Sequence, residues 1–272
     1  LKKFQEELGH LLNSALQERQ LEGKPFFDLE IIKVGAKGNR FLLSSEQITV
    51  LDQNQNSVYA LDLRGEKSNI LIGGEKVRQM AFLADLNNRL YLLGQEGIFR
   101  LEKTPELKIK KDEDWGEVLA MSGFGNSLYL LTKNEIWKYP LGEEGFGSKQ
   151  AWLKQESDLS EVISMAIDGS IWLLTKNGQI LKFTRGSKES FTVSGLAKPL
   201  LEPVALYTTA DLKNLYLLDK GSSRIVVLNK LGEYQSEYLW SGLSQAVDLA
   251  VSPSEEQIFL LCGEKIFTLN LK

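Results

Sequence analysis

The sequence is poor in the residues that most often announce chemistry. Its 272 residues include one cysteine, Cys262, and one histidine, His10. A single thiol forms no internal disulfide, and Cys262, inside an apolar stretch, reads as a buried and inert side chain. With one histidine, a Ser-His-Asp arrangement has only His10 to use. No His/Cys cluster with metal-ligand spacing exists, and no Gly-x-Ser-x-Gly elbow. No run of about 18 apolar residues is present, so nothing here reads as a membrane span. Positive charge is not in excess. The net charge of −4 leaves no electrostatic footprint for nucleic acid. The Gly-rich stretch Pro140–Ser148 lacks the Lys-Ser/Thr ending of a phosphate loop and precedes no helix. It reads as a flexible loop on an outer edge.

What is present is repetition. Leu90-Tyr91-Leu92-Leu93 recurs as Leu128-Tyr129-Leu130-Leu131, Ile171-Trp172-Leu173-Leu174, Leu215-Tyr216-Leu217-Leu218 and Ile258-Phe259-Leu260-Leu261. A weaker first copy is Ile48-Thr49-Val50-Leu51. Successive copies start 42, 38, 43, 44 and 43 residues apart. A period near 40 built of strands is the signature of a β-propeller with one repeat per blade. The fold class is therefore all-β: a six-bladed propeller of four-stranded antiparallel blades.

Each repeat follows one grammar. The recurrent stretch is the second strand, and a tight turn such as Asn177-Gly178 leads to the third. The innermost strands align without gaps as Val77–Met80, Val118–Met121, Val162–Met165, Pro203–Leu206 and Ala246–Leu249. In the second repeat the innermost strand is expected over Val77–Ala84. The alignment puts the three methionines, Met80, Met121 and Met165, at one position, which points to packing between blades. Trp137 and Trp172 replace repeat residues and read as core. The last repeat lacks a fourth strand, and Phe27–Val34 is left over near the N-terminus. The economical solution is that this segment supplies the missing outer strand and closes the ring. An alternative register, with Ile31–Gly35 innermost in blade one, leaves Ser68–Ile72 unexplained.

Ahead of the propeller (residues 25–272), residues 1–24 form a separate unit. Leu1, Phe4, Leu8, Leu11, Leu12, Ala15 and Leu16 recur at spacings of three and four, which predicts an amphipathic helix over 1–22 ended by Gly23 and Pro25. It packs on the propeller, forms a coiled-coil stem that self-associates, or leads to a membrane helix. The chain begins at Leu1 inside this helix and so reads as a piece of a longer or processed product.

Candidate functional residues follow from repeat equivalence. Lys76, Glu117, Glu161, Glu202 and Gln245 immediately precede the innermost strands and should ring one mouth of the channel. Arg78 lies beside them. Three carboxylates there could bind a cation or a basic group; the alternative is solvated loop charge. Asp248 is the only acid within the aligned innermost strands. It is either a channel ligand or a hydrogen-bonded structural group. No catalytic residue, metal site or cofactor is assigned.

Ala246–Pro253 followed by Ile258–Leu261, and Leu215–Asp219 followed by Arg224–Leu228, resemble blade openings of the NHL, TolB and gluconolactonase-like propellers. The likeness covers residues 27–271. In the gluconolactonase-like enzymes it implies a divalent metal held by acidic and amide side chains in the channel, and no full set can be placed here. The charged helix running into a propeller also resembles the extracytoplasmic domains of some bacterial membrane-anchored proteins, including ones with a cytoplasmic serine/threonine phosphatase domain. The expectation is a non-catalytic module binding a protein, peptide or small ligand on one face, with a metal-dependent hydrolase or lactonase as the alternative.

Overall fold

The computed structural model describes residues 17–74 and 79–272. Two short strands come first, β1 (Glu18–Gln20) and β2 (Lys24–Asp28). Blade one is β3 (Arg40–Leu43), β4 (Gln47–Asp52), β5 (Ser57–Asp62) and β6 (Ser68–Gly73). Blade two is β7 (Phe82–Leu86), β8 (Arg89–Gly94), β9 (Gly97–Arg100) and β10 (Glu106–Lys110). Blade three is β11 (Val118–Phe124), β12 (Ser127–Thr132) and β13 (Ile136–Gly142), with β14 (Gly145–Phe146) and β15 (Gln150–Ala151) both paired to β13. Blade four is β16 (Val162–Ile167), β17 (Ser170–Thr175), β18 (Ile180–Thr184) and β19 (Ser187–Glu189). Blade five is β20 (Pro203–Tyr207), β21 (Asn214–Asp219), β22 (Arg224–Asn229) and β23 (Tyr234–Leu239). Blade six is β24 (Asp248–Val251), β25 (Gln257–Cys262) and β26 (Lys265–Asn270).

The repeat is buried because both of its faces are covered. Leu215 and Leu217 belong to an apolar cluster shared with blade four, whereas Tyr216 and Leu218 belong to one shared with blade six. Successive strand residues point to opposite faces, so a strand sandwiched between two blades is apolar throughout. Six such clusters fill the six seams between neighbouring blades.

The ring closes as the leftover segment requires. β2 pairs antiparallel with β26, Lys24 opposite Thr268 and Asp28 opposite Lys265. The closing strand is Lys24–Asp28 rather than Phe27–Val34, because the chain turns into a 3-10 helix at Leu29–Ile31. Pro25 is accommodated at this edge, where the register shifts between Pro25 and Phe27. β3 and β6 exclude the alternative register for blade one.

Three expectations are corrected. Residues 1–16 of the proposed helix, with His10, lie outside the described residues, but Glu18–Gln20 is a strand that runs parallel to β23. Among the described residues there is no α-helix. The innermost strand of blade two begins at Phe82, not at Val77. Leu83 faces Leu92 as Met121 faces Leu130, so Met80 stands outside the position that Met121 and Met165 share. Gln79 has a φ of 64°, a left-handed backbone that no strand can run through. Met80 is still buried, against Leu51, Val58 and Leu83. Finally, Pro140–Ser148 is a hairpin between β13 and β14, anchored by the Phe146 ring set edge-on to Tyr91 at 5.4 Å.

Candidate functional site: the central channel

The six innermost strands surround a cavity of about 270 Å³. Pairing with the second strands fixes which residues share a level. Arg40, Phe82, Ala120, Ser164, Ala205 and Asp248 stand opposite the last residue of the six recurrent stretches. The only charges at this level are Arg40 and Asp248, in neighbouring blades one and six.

An innermost strand has no strand on its inner side, so half of its N–H groups need other acceptors. Two blades meet this need in the same way. The Ser164 hydroxyl accepts from Leu206 N of the next blade at 3.0 Å. The Asp248 carboxylate accepts from Phe41 N of the next blade at 3.1 Å, and from Leu249 N at 3.0 Å. Phe41 and Leu206 are at equivalent positions, one residue past Arg40 and Ala205. Asp248 therefore clamps the seam where the ring closes, which is the structural side of the two sequence readings.

Burial raises the Asp248 carboxyl to about 6, against the opposing pull of the Arg40 charge and the two N–H donors. A folded-state value above the unfolded one of 3.8 means that the folded protein holds more protons between about pH 4 and 6. This component of stability therefore falls as pH rises through that window and is level above it. Asp248→Ser should keep the Phe41 bond, as Ser164 does for Leu206, and remove this titration. The difference in unfolding free energy between Asp248→Ser and wild type should then move in favour of the variant between pH 4 and 7, and a constant difference would refute it. Asp248→Ala strands the Phe41 N–H, at a cost of about 1–3 kcal/mol.

Arg40 is exposed at the mouth. Its Nη1 donates to the Asn39 carbonyl at 3.3 Å, and its guanidinium lies over the Phe82 ring, 5.8 Å from the centroid. At the other end of the cavity is Asp85, within β7 and partly buried. Desolvation raises its carboxyl, partly offset by the Asn88 N–H. Asp85 also lines a cleft of about 450 Å³ between blades one and two.

The predicted ring is only partly assembled. Lys76 and Arg78 lie outside the described residues. Glu117, Glu161, Glu202 and Gln245 do share a level, each three residues before the Ala120, Ser164, Ala205 and Asp248 row. None of them lines the channel cavity. Glu117 is paired to Lys133 at 2.6 Å and Glu161 to Lys176 at 3.7 Å, all four largely exposed. These lysines hold the Glu117 carboxyl below its usual range. Among the described residues no three His, Cys, Asp or Glu side chains are grouped so as to hold a metal.

Sequence reasoning missed Arg40, Phe82 and Asp85. Arg40 opens the innermost strand of blade one, as the sequence predicts, but the weak first repeat does not show which level it shares with the others, and the three-residue offset of blade two conceals Phe82 and Asp85. The residue after each recurrent stretch was also passed over. There Asp52 accepts from Lys37 N and Gln55 N, Thr132 and Thr175 bond the turn that follows, and Asp219 accepts from Leu201 N and Glu202 N. Cys262 occupies this position in blade six, where burial pushes its thiol up to about 12; a thiol of that pKa is unreactive at neutral pH.

No known family's sequence profile matches the chain, and no curated protein matches it in sequence. Solved structures do resemble it. A streptogramin B lyase superposes with a TM-score of 0.65 at 15% identity, over 93% of this chain and 98% of its own. The gluconolactonase of Xanthomonas campestris gives 0.62 at 12%, over 94% and 88%. Regucalcin of Agrobacterium tumefaciens, a calcium-binding protein, gives 0.59 at 9%, over 93% and 95%. The chain shares their six-bladed propeller fold. At these identities the likeness is one of fold alone.

Proposed function

We propose that the protein is a non-catalytic binding propeller whose small ligand enters the channel mouth at Arg40. The observation that carries this reading is the division of labour at the Arg40 level. Asp248 is occupied by two backbone N–H groups, whereas among the described residues the Arg40 side chain makes one hydrogen bond, to the Asn39 carbonyl just before its strand, and presents a cation beside the Phe82 ring. A guanidinium stacked on an aromatic ring suits a planar carboxylate. The outlying Glu117 and Glu161 are already matched by lysines. No histidine occurs after His10, so proton transfer in the channel has only carboxyl, hydroxyl and basic side chains to draw on. The apolar stripe of residues 1–16 supports placing this propeller as the extracytoplasmic sensor or interaction domain of a membrane-anchored protein.

The competing reading is a metal-dependent hydrolase or lactonase, favoured by Asp85 and Asp248 reaching opposite ends of one channel and by the names of the gluconolactonase and calcium-binding neighbours. Two measurements separate them. Elemental analysis of dialysed protein should find no stoichiometric divalent ion; such an ion, lost in Asp85→Asn, would overturn the binding reading. 2-Aminobenzoate, used as a fluorescent aromatic carboxylate, should bind wild type and lose at least tenfold in affinity in Arg40→Gln. Equal binding to both proteins would remove Arg40 from the site.

A further inference from the structure

Asp85 breaks the repeat. It stands opposite Leu90, the first residue of the recurrent stretch in blade two. The residues opposite that position in four other blades are Leu43, Gly123, Ile167 and Val251. All four are uncharged, so the fold does not ask for a carboxylate here. Internal pairing does not account for it either. Asp85 Oδ1 accepts from Asn88 N at 3.3 Å, in the turn that follows. Among the described residues no other donor reaches the carboxylate, and no lysine or arginine pairs with it. Asp248, by contrast, is held by two N–H groups. Asp85 is thus a partly desolvated carboxylate with unused acceptor capacity.

Its place relative to Arg40 gives that capacity a geometry. Both residues line the same channel cavity of about 270 Å³. Phe82 stands at the Arg40 level, and Asp85 lies three residues further along the same strand, which is about 10 Å. The next row in from Arg40 is apolar in all six blades: Phe41, Leu83, Met121, Met165, Leu206 and Leu249. The row after it carries no charge. The channel therefore has a cation at one end, an anion at the other and an uncharged lining between them. Its volume lies just under the ~300–1,000 Å³ of drug-sized sites, which suits a slender molecule.

We propose that the channel ligand is amphoteric: its carboxylate meets Arg40, its ammonium meets Asp85, and a slender apolar spacer of about 10 Å separates the two. This rests on the placing of a carboxylate at Arg40. The ammonium supplies the charge-assisted donors that Asp85 lacks. Each end also rejects the wrong group. A dicarboxylate sets a second negative charge against Asp85, and a diamine sets an ammonium against Arg40.

Calorimetric titration of the whole chain at pH 8 tests this with 8-aminooctanoate, whose extended chain has about the required length, against octanoate and octanedioate. In wild type, 8-aminooctanoate should bind at least tenfold more tightly than octanoate, and octanedioate more weakly than octanoate. In Asp85→Asn both differences should disappear, because the charge that reads the far end is gone. 4-Aminobutanoate, too short to span the channel, should gain nothing over butanoate in wild type. Octanoate that binds wild type and Arg40→Gln equally would remove Arg40 from the site and this proposal with it. Octanoate that depends on Arg40 while 8-aminooctanoate binds no more tightly would overturn the second pole alone. So would an amine advantage that survives in Asp85→Asn or appears equally with 4-aminobutanoate.

Discussion

Arg224→Met is expected to destabilise the protein by about 3–5 kcal/mol, the usual result of removing one partner from a buried ion group. The side chain is 3% exposed and each of its three nitrogens donates: Nε to Asp219, Nη1 to Glu237, and Nη2 to the carbonyls of Lys198 and Pro199 at 2.9 and 2.7 Å. Removing it leaves two buried carboxylates and two carbonyls without their partner. Arg224→Lys restores the charge but not the planar fork, so it should lie between the two. Adding Glu237→Met to Arg224→Met should recover part of the loss, because it deletes one unmatched carboxylate. Asp219 is best left alone, since its other oxygen accepts from Leu201 N and Glu202 N. Urea unfolding midpoints at unchanged slope measure all three. A loss below about 1 kcal/mol for Arg224→Met, within the range of exposed ion pairs, would show that this group is not desolvated as described.

The second large effect contrasts two tryptophans. Trp172→Ala should cost about 3–5 kcal/mol, as large buried aromatics do when truncated. Trp172 is 1% exposed, its Nε1 donates to Asp168 at 2.9 Å, and Phe191 packs edge-on at 5.1 Å. Trp137→Phe should fall within about 0.5 kcal/mol of wild type or stabilise it. Trp137 Nε1 is buried without an acceptor, so the substitution deletes a donor left unsatisfied in the fold. The Lys149 ammonium, 4.6 Å from the Trp137 ring centroid, keeps an aromatic face to sit over. The same unfolding series checks both, and equal losses would mean that the two indoles are equivalent core groups, as the sequence alone suggests.

That difference marks where sequence reasoning stops. The blade count and the second strands were legible because they depend on burial, and burial writes itself as a period of about 40 in apolar residues; that an N-terminal segment closes the ring followed from the blade left short, but its bounds, Lys24–Asp28, did not. The innermost strand of blade two was not legible. Val77–Met80 is as apolar in spacing as Val118–Met121, and only the left-handed backbone at Gln79 moves the strand to Phe82. Asp85 was hidden by the same slip. β1 was read as helix because Leu16 continues the stripe of residues 1–15, and three residues of strand carry no pattern to contradict it. The clamp role of Asp248 was open because the sequence cannot show that Phe41, two hundred residues earlier, brings its N–H to that carboxylate.

The pairing of β2 with β26 also has a mechanical consequence. Lys24 is opposite Thr268 and Asp28 opposite Lys265, so the two chain ends leave the propeller on the same side of the same strand pair. Tension between them loads the ladder one rung at a time, as in a zipper, instead of shearing all its rungs together. β1 stands upstream of that zipper on blade five. Tension applied from the N-terminal side must strip β1 before it reaches the seam, so the ring opens under load in two steps, with the weaker one first.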